Sequence, residues 1–307
     1  MCRKWRQALL AAATIAMAAL TAPALCAAET EADAEITAEA TADEAAADEA
    51  TADEAAADGA TADEAAAGAA LSADSTFGII GALPEEVSLL CEEMEDMTTV
   101  HQSDMDFYVG TLGGAQAVVV YCGDGKVNAA MCTELLIAGF DCDAVIFTGV
   151  AGSLSADVHL MDIVISTETM YDDFDESPIG YEVGQVPNLD VLRFTADDTL
   201  VAAAQQACES LDTDSEVFLG TIATGDTFVD SDELKTKIVD LTGALCAEME
   251  GASVGHVCYR NDTPYVVIRT ISDNADDEGG ATFTELLSEA AANSARIVVE
   301  MLESLTA

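Results

Sequence analysis

Basic residues are scarce: the chain of 307 residues has 10 Lys+Arg against 58 Asp+Glu, a formal net charge of −48. A surface of that sign repels phosphate backbones, which argues against nucleic acid as a partner and disfavours anionic membrane surfaces. Histidine is scarcer still, with 3 residues, and His101, His159 and His256 are scattered. Among the 9 cysteines there is no C-x-x-C pair, and no Cys/His grouping has zinc spacing. A metal site is therefore not expected. No Lys or Arg stands between Phe77 and Lys126. What is abundant is apolar: 50% of the residues are hydrophobic, unlike the composition of a disordered acidic chain.

The first residues look like an address. Arg3, Lys4 and Arg6 precede an apolar run over 8–20, then Pro23 and small residues around Ala24, Cys26, Ala27 and Ala28. Basic, apolar, then small is the plan of a secretory signal peptide over 1–28, and Pro23 with the Ala-rich end favours cleavage over an uncleaved anchor. A repeat of ATADEAAADE type follows in 29–76. Its period places no apolar residue on one face and its like charges repel, so it reads as an acidic linker. The remaining 77–307 suffices for one domain. It carries 43 acids and 7 bases. Its cysteines, such as Cys132, Cys246 and Cys258, sit in apolar runs and read as small core residues.

Strand-like runs recur at FGIIGAL (77–83), AVVVYCG (117–123), AVIFTGVAG (144–152), DIVISTET (162–169), VFLGTIATG (217–225) and YVVIRTISD (265–273). Helical patterns lie between several of them: from Pro84 onward, over 127–140, over 199–211 and over 283–305. The alternation predicts an α/β fold with a mixed central sheet flanked by helices. Ligands in such folds sit where strands end.

Four strand ends are selective. GALPEEV places Glu85 and Glu86 in a first helical turn, where two acids would also simply complement the helix N-terminus. FTGVAGSL is a small-residue turn around Val150 that lets backbone approach a ligand. AEMEGAS sets Glu248 and Glu250 about Met249 and would, taken alone, start a helix. VIRTISDNAD buries Arg269 in an apolar strand and ends it with Ser272 and Asp273. An arginine there needs a carboxylate partner, and Glu248 and Glu86 are available.

These segments, with GDGKVNAA, GYEVGQVP and GDTFV, fall in the order seen in 5′-methylthioadenosine/S-adenosylhomocysteine nucleosidases, which the chain resembles over nearly all of 77–305. EMEGAS together with RTISD is the specific part. The resemblance implies a nucleoside phosphorylase-like, partly closed three-layer fold, a homodimer and no cofactor. It implies N-glycosidic hydrolysis, with Asp273 protonating adenine N7, Ser272 assisting, and Glu86 acting on the attacking water within a network of Arg269 and Glu248. Glu250 would bind the ribose hydroxyls, Met249 and Phe283 cover the sugar, and Phe228 and Val229 hold adenine. Phosphorolysis in the same fold needs cations near the first strand; two carboxylates there would instead repel a dianion.

Val150, Asp124, Glu176 and Ile179 depart from the family's usual residues. In relatives, Asp124, Glu176 and Ile179 correspond to positions around the 5′ substituent, the last two from the neighbouring subunit, so other 5′-substituted purine nucleosides stay open. Export is also unusual for such an enzyme and would suit nucleoside salvage. A non-catalytic nucleoside-binding or display module is the rival; retention of Glu86, Glu250 and Asp273 argues against it.

Overall fold

The computed structural model describes residues 71–306 apart from 73 and 212–214. The expected leader and nearly all of the acidic repeat lie outside the described residues. The folded part begins before the boundary expected after Thr76: Leu71 packs against the core and Ser75 is buried.

From there the chain runs through β1 (Thr76–Gly81), α1 (Pro84–Glu93), β2 (Glu95–Gln102), β3 (Met105–Leu112), β4 (Ala115–Tyr121) and α2 (Lys126–Glu134), which continues as a π-helical turn (Leu135–Gly139). It continues through β5 (Ala144–Ser153), β6 (Ile163–Tyr171), a 3₁₀ turn (Ser177–Ile179), β7 (Phe194–Thr195) and α3 (Asp198–Ser210). The last elements are β8 (Val217–Thr224), α4 (Asp232–Thr242), β9 (Cys246–Glu248), α5 (Gly251–Asn261), β10 (Tyr265–Asp273) and α6 (Gly279–Thr306). All six apolar runs form strands. The helix expected over 127–140 changes pitch instead: Phe140 N bonds to Leu135 O at 3.2 Å, a wider i→i+5 closure.

The strands form one mixed sheet. β1 pairs in parallel with β4 and β5, and β10 in parallel with β5, while β10 with β6 and β5 with β9 are antiparallel. Because β10 touches both β5 and β6, the path β5–β10–β6–β8–β9 returns to β5 and closes on itself. β4, β3 and β2 extend from β1 as an open flap.

Both faces of the sheet are covered, which explains the continuous apolar runs. Along β5, Val145 and Phe147 point into one core with Cys132, Leu136, Ala252 and Cys258 of α2, its π-helical turn and α5. Their neighbours Ala144 and Ile146 point into the other, with Val87, Leu200, Ala295 and Val298 of α1, α3 and α6. Six of the seven cysteines in the described region are buried, and all seven are free. Among the described residues no helix is long and apolar enough to cross a membrane, and no cluster of His, Cys, Asp and Glu has a metal-binding arrangement.

Candidate active site

The site is assembled where β1, β5, β9 and β10 end side by side. Towards its end β5 carries Gly149, paired with Arg269 of β10, and Gly152, paired with Asp273, and both glycines make room. A Cβ at Gly149 would collide with the Glu86 carboxylate and the Arg269 guanidinium; at Gly152 it would stand 2.8 Å from Asp273 Oδ1. Small residues in FTGVAGSL thus admit the protein's own carboxylates as well as a ligand.

Glu86 lies at the third position of α1, yet it does more than offset the helix dipole. Its side chain is buried. Oε2 accepts from Ala82 N at 2.6 Å and Leu83 N at 3.0 Å, and Oε1 from Val150 N at 3.0 Å. Burial raises its pKa, against the opposing pull of Arg269 and the three backbone donors. Glu85, beside it, is exposed.

Arg269 is the hub behind the site. It is fully buried in β10, with Cζ 4.0 Å from the centre of the Phe147 ring. Nη2 donates to Glu248 Oε2 at 2.5 Å and lies 3.8 Å from Glu250 Oε2. Burial works against its charge, but Glu248, Glu86 and Glu250 together hold its pKa above the ordinary value. Glu248 is fully committed: besides Arg269 it accepts from Thr224 Oγ1, from Gly251 N at 2.7 Å and from Glu250 N at 3.2 Å. It is therefore both the partner of Arg269 and the acceptor for the first turn of α5, so both sequence readings of AEMEGAS apply.

Glu250, the residue before α5, sends its carboxylate across to Gly125 N, 2.6 Å away. Its pKa is pushed up to about 8, by burial first and the charge of Glu248 second. Three carboxylates share one guanidinium in a dry setting, so their simultaneous ionisation is disfavoured. Asp273 ends β10. Oδ1 accepts from Ala275 N at 2.9 Å and Oδ2 from Ser272 Oγ at 2.9 Å. Its burial raises its pKa against these two donors.

These groups face one cavity of about 340 Å³. Of the residues singled out from the sequence, Glu86, Asp124, Val150, Phe228, Val229, Glu248, Met249, Glu250, Ser272, Asp273 and Phe283 line it; Arg269 stands behind the wall. Phe228 and Phe283 meet edge to face, centroids 5.6 Å apart. Asp124 is exposed in the loop between β4 and α2. Glu176 and Ile179 lie outside the lining, and Ile179 is 72% exposed. Ala82, Leu83, Gly152 and Thr227 also line the cavity; the first three carry no chemical label in a sequence, and a lone threonine hydroxyl such as that of Thr227 is too common to mark a site.

The Phosphorylase superfamily profile matches residues 76–303. The 5′-methylthioadenosine/S-adenosylhomocysteine nucleosidase of Staphylococcus carnosus is 39% identical over 232 residues, covering 74% of this chain and 99% of that protein. The nucleosidase of the same name from Geobacillus thermodenitrificans is 42% identical, covering 73% of this chain and 94% of that one. Among solved structures, the Neisseria meningitidis nucleosidase in complex with methylthio-immucillin-A superposes with a TM-score of 0.73 at 40% identity, over 75% of this chain and all (100%) of that one. A futalosine hydrolase of Helicobacter pylori superposes with a TM-score of 0.72 at 32% identity, over 75% and 98% of the two chains. With its sheet closed through β10 and its carboxylates gathered around Arg269, the chain belongs to the 5′-methylthioadenosine/S-adenosylhomocysteine nucleosidase family of the phosphorylase superfamily.

Proposed function

We propose that the protein hydrolyses the N-glycosidic bond of 5′-substituted adenosines, releasing adenine and the free sugar. The observation that carries this reading is that Asp273 and Glu86 face one cavity whose lining, among the described residues, includes no Lys or Arg. A phosphate dianion entering it would find no cation in the wall to offset its loss of hydration and would oppose ionisation of Glu86 and Glu250, whereas neutral water needs neither.

As the C1′–N9 bond breaks, its electron pair leaves with the purine and C1′ gains oxocarbenium character. Asp273 holds its proton more tightly than an ordinary carboxyl and delivers it to N7 of the departing base, with Ser272 steadying Oδ2. Water adds at C1′ and its proton passes to Glu86, which burial makes a stronger proton acceptor than an ordinary carboxylate. Glu250 holds the ribose hydroxyls. Phe228 and Val229 hold the adenine, and Met249 and Phe283 cover the sugar. Arg269 and Glu248 keep the Glu86 and Glu250 carboxylates in place.

The relatives' names favour 5′-methylthioadenosine and S-adenosylhomocysteine as substrates. The likeness to a futalosine hydrolase extends the class to other 5′-substituted purine nucleosides. A homodimer, in which Glu176 and Ile179 approach the site of a second copy, fits the exposure of Ile179. The order of charges and apolar residues at the N-terminus supports export.

The test is product analysis with 5′-methylthioadenosine, S-adenosylhomocysteine and adenosine, each with and without phosphate. Adenine and a free sugar are expected in both conditions. A sugar 1-phosphate would make the protein a phosphorylase, and no adenine from any substrate would leave a nucleoside-binding protein.

A further inference from the structure

The carboxylate of Glu250 is held by one backbone donor, Gly125 N, from the loop between β4 and α2. That loop has little packing of its own: Gly123, Asp124, Gly125 and Lys126 are all half-buried or exposed. Gly125 has φ +94°, a conformation that favours glycine, and a Cβ there would sit 3.1 Å from Asp226 Oδ1. What fixes this amide is a ring of polar contacts beside it. Lys126 N donates to Asp226 Oδ1 at 2.9 Å. Asp226 N donates in turn to Asp173 Oδ2 at 2.9 Å. Lys126 Nζ then returns to Asp173, 2.6 Å from each carboxylate oxygen, and lies 3.6 Å from Asp226 Oδ2.

The ring joins three loops distant in sequence, those following β4, β6 and β8. Asp226 places a negative charge on the first turn of α2, where the helix dipole favours it. Lys126 is one of the few bases of a strongly acidic domain, and its ammonium also lies 5.7 Å from the Tyr171 ring centre. Without its ammonium, Asp173 and Asp226 would face each other unneutralised, and the two backbone bonds that remain, Lys126 N to Asp226 and Asp226 N to Asp173, would hold the Gly125 amide less firmly.

We propose that Lys126, through its ring with Asp173 and Asp226, is a positioning residue that aims the Gly125 amide at Glu250 and so sets the ribose-binding carboxylate. The inference rests on the nucleosidase reading above. Lys126 touches no substrate; it acts on Glu250 through one peptide unit.

The experiment is a double-mutant cycle with 5′-methylthioadenosine as substrate, with thermal unfolding confirming that each variant is folded. Lys126→Met should lower kcat/KM about tenfold, mainly through KM, as expected for a partly exposed charge-assisted contact. Lys126→Arg should recover most of the loss. In a Glu250→Ala background, which removes the oxygen that Gly125 N meets, the Lys126→Met change should cost no more than about twofold, because the group it positions is already gone. If Lys126→Met does not fold, Asp226→Asn, which keeps an oxygen for Lys126 N but removes the charge, goes through the same cycle. An active wild type with kcat/KM unaffected by Lys126→Met overturns the proposal, as does a loss of equal size in both backgrounds. A wild type that releases no adenine overturns the nucleosidase reading instead.

Discussion

At the scale of single residues, the site turns on where protons reside among buried acids. Arg269 interrupts an apolar strand, and that interruption alone demanded a carboxylate; Glu248 meets it at 2.5 Å. Glu86 was less legible, because an acid in a first helical turn has an ordinary explanation. Its burial and its three backbone donors from two separate segments distinguish it from the exposed Glu85. In the proposed reaction, departure of the base depends on Asp273. Gly152 leaves it space, and Ser272 and Ala275 fix both of its oxygens. Asp273→Asn conserves that shape but cannot give up an acidic proton. The variant should keep its unfolding midpoint near wild type while adenine release slows by about 10²–10⁴-fold. Steady-state rates within a few-fold of wild type would remove Asp273 from the chemistry.

At the scale of elements, the apolar strands were readable because each is buried on both faces, which leaves a continuous hydrophobic run. β2 was not readable: every residue of EDMTTVHQ is exposed, and the strand exists through its ladder with β3 rather than through a buried face. β9 spans three residues, too short for any periodic signal. The ring of Lys126, Asp173 and Asp226 was invisible for another reason, since its members are 47 and 53 residues apart along the chain. The loop between β4 and α2 also carries Asp124, which lines the cavity and is exposed. An apolar thioether gains about 0.8 kcal/mol per buried CH₂ against a dry wall, whereas an ionised carboxylate keeps the wall wet. Asp124 should therefore weaken the preference for a methylthio tail over polar or cationic tails or a plain 5′-hydroxyl. Asp124→Ile should raise kcat/KM for 5′-methylthioadenosine relative to S-adenosylhomocysteine and adenosine, by about fourfold for one buried CH₂ equivalent and about fifteenfold for two. Unchanged ratios among the three substrates would mean that the side chain turns to solvent and does not shape the tail site.

At the scale of the whole molecule, acidity acts twice, on the surface and inside. The region 77–307 carries 43 acids and 7 bases, so its exposed carboxylates repel one another once ionised, and salt screens that repulsion over about 8–10 Å. Glu250 is different because it is buried. Its pKa stands at about 8 in the fold against an ordinary 4.5. Between those values the folded chain retains a proton that the unfolded chain releases, so the unfolded state binds fewer protons and stability falls as pH rises. The contribution is complete below the ordinary pKa and is lost by the time pH passes the folded one. Glu86 and Asp273, raised by burial, act in the same direction. The wild-type unfolding midpoint should therefore drop from pH 5 to pH 8 at low salt. Sodium chloride at 0.5 M should recover the surface part of that drop and leave the buried part. In Glu250→Gln, which is neutral at every pH, the drop remaining at high salt should be smaller than in wild type. Thermal unfolding of both proteins across the four combinations of pH and salt measures this. Parallel wild-type and variant curves at high salt would show that Glu250 ionises in the fold as it does in water, and that the crowding of three acids around Arg269 does not hold a proton there.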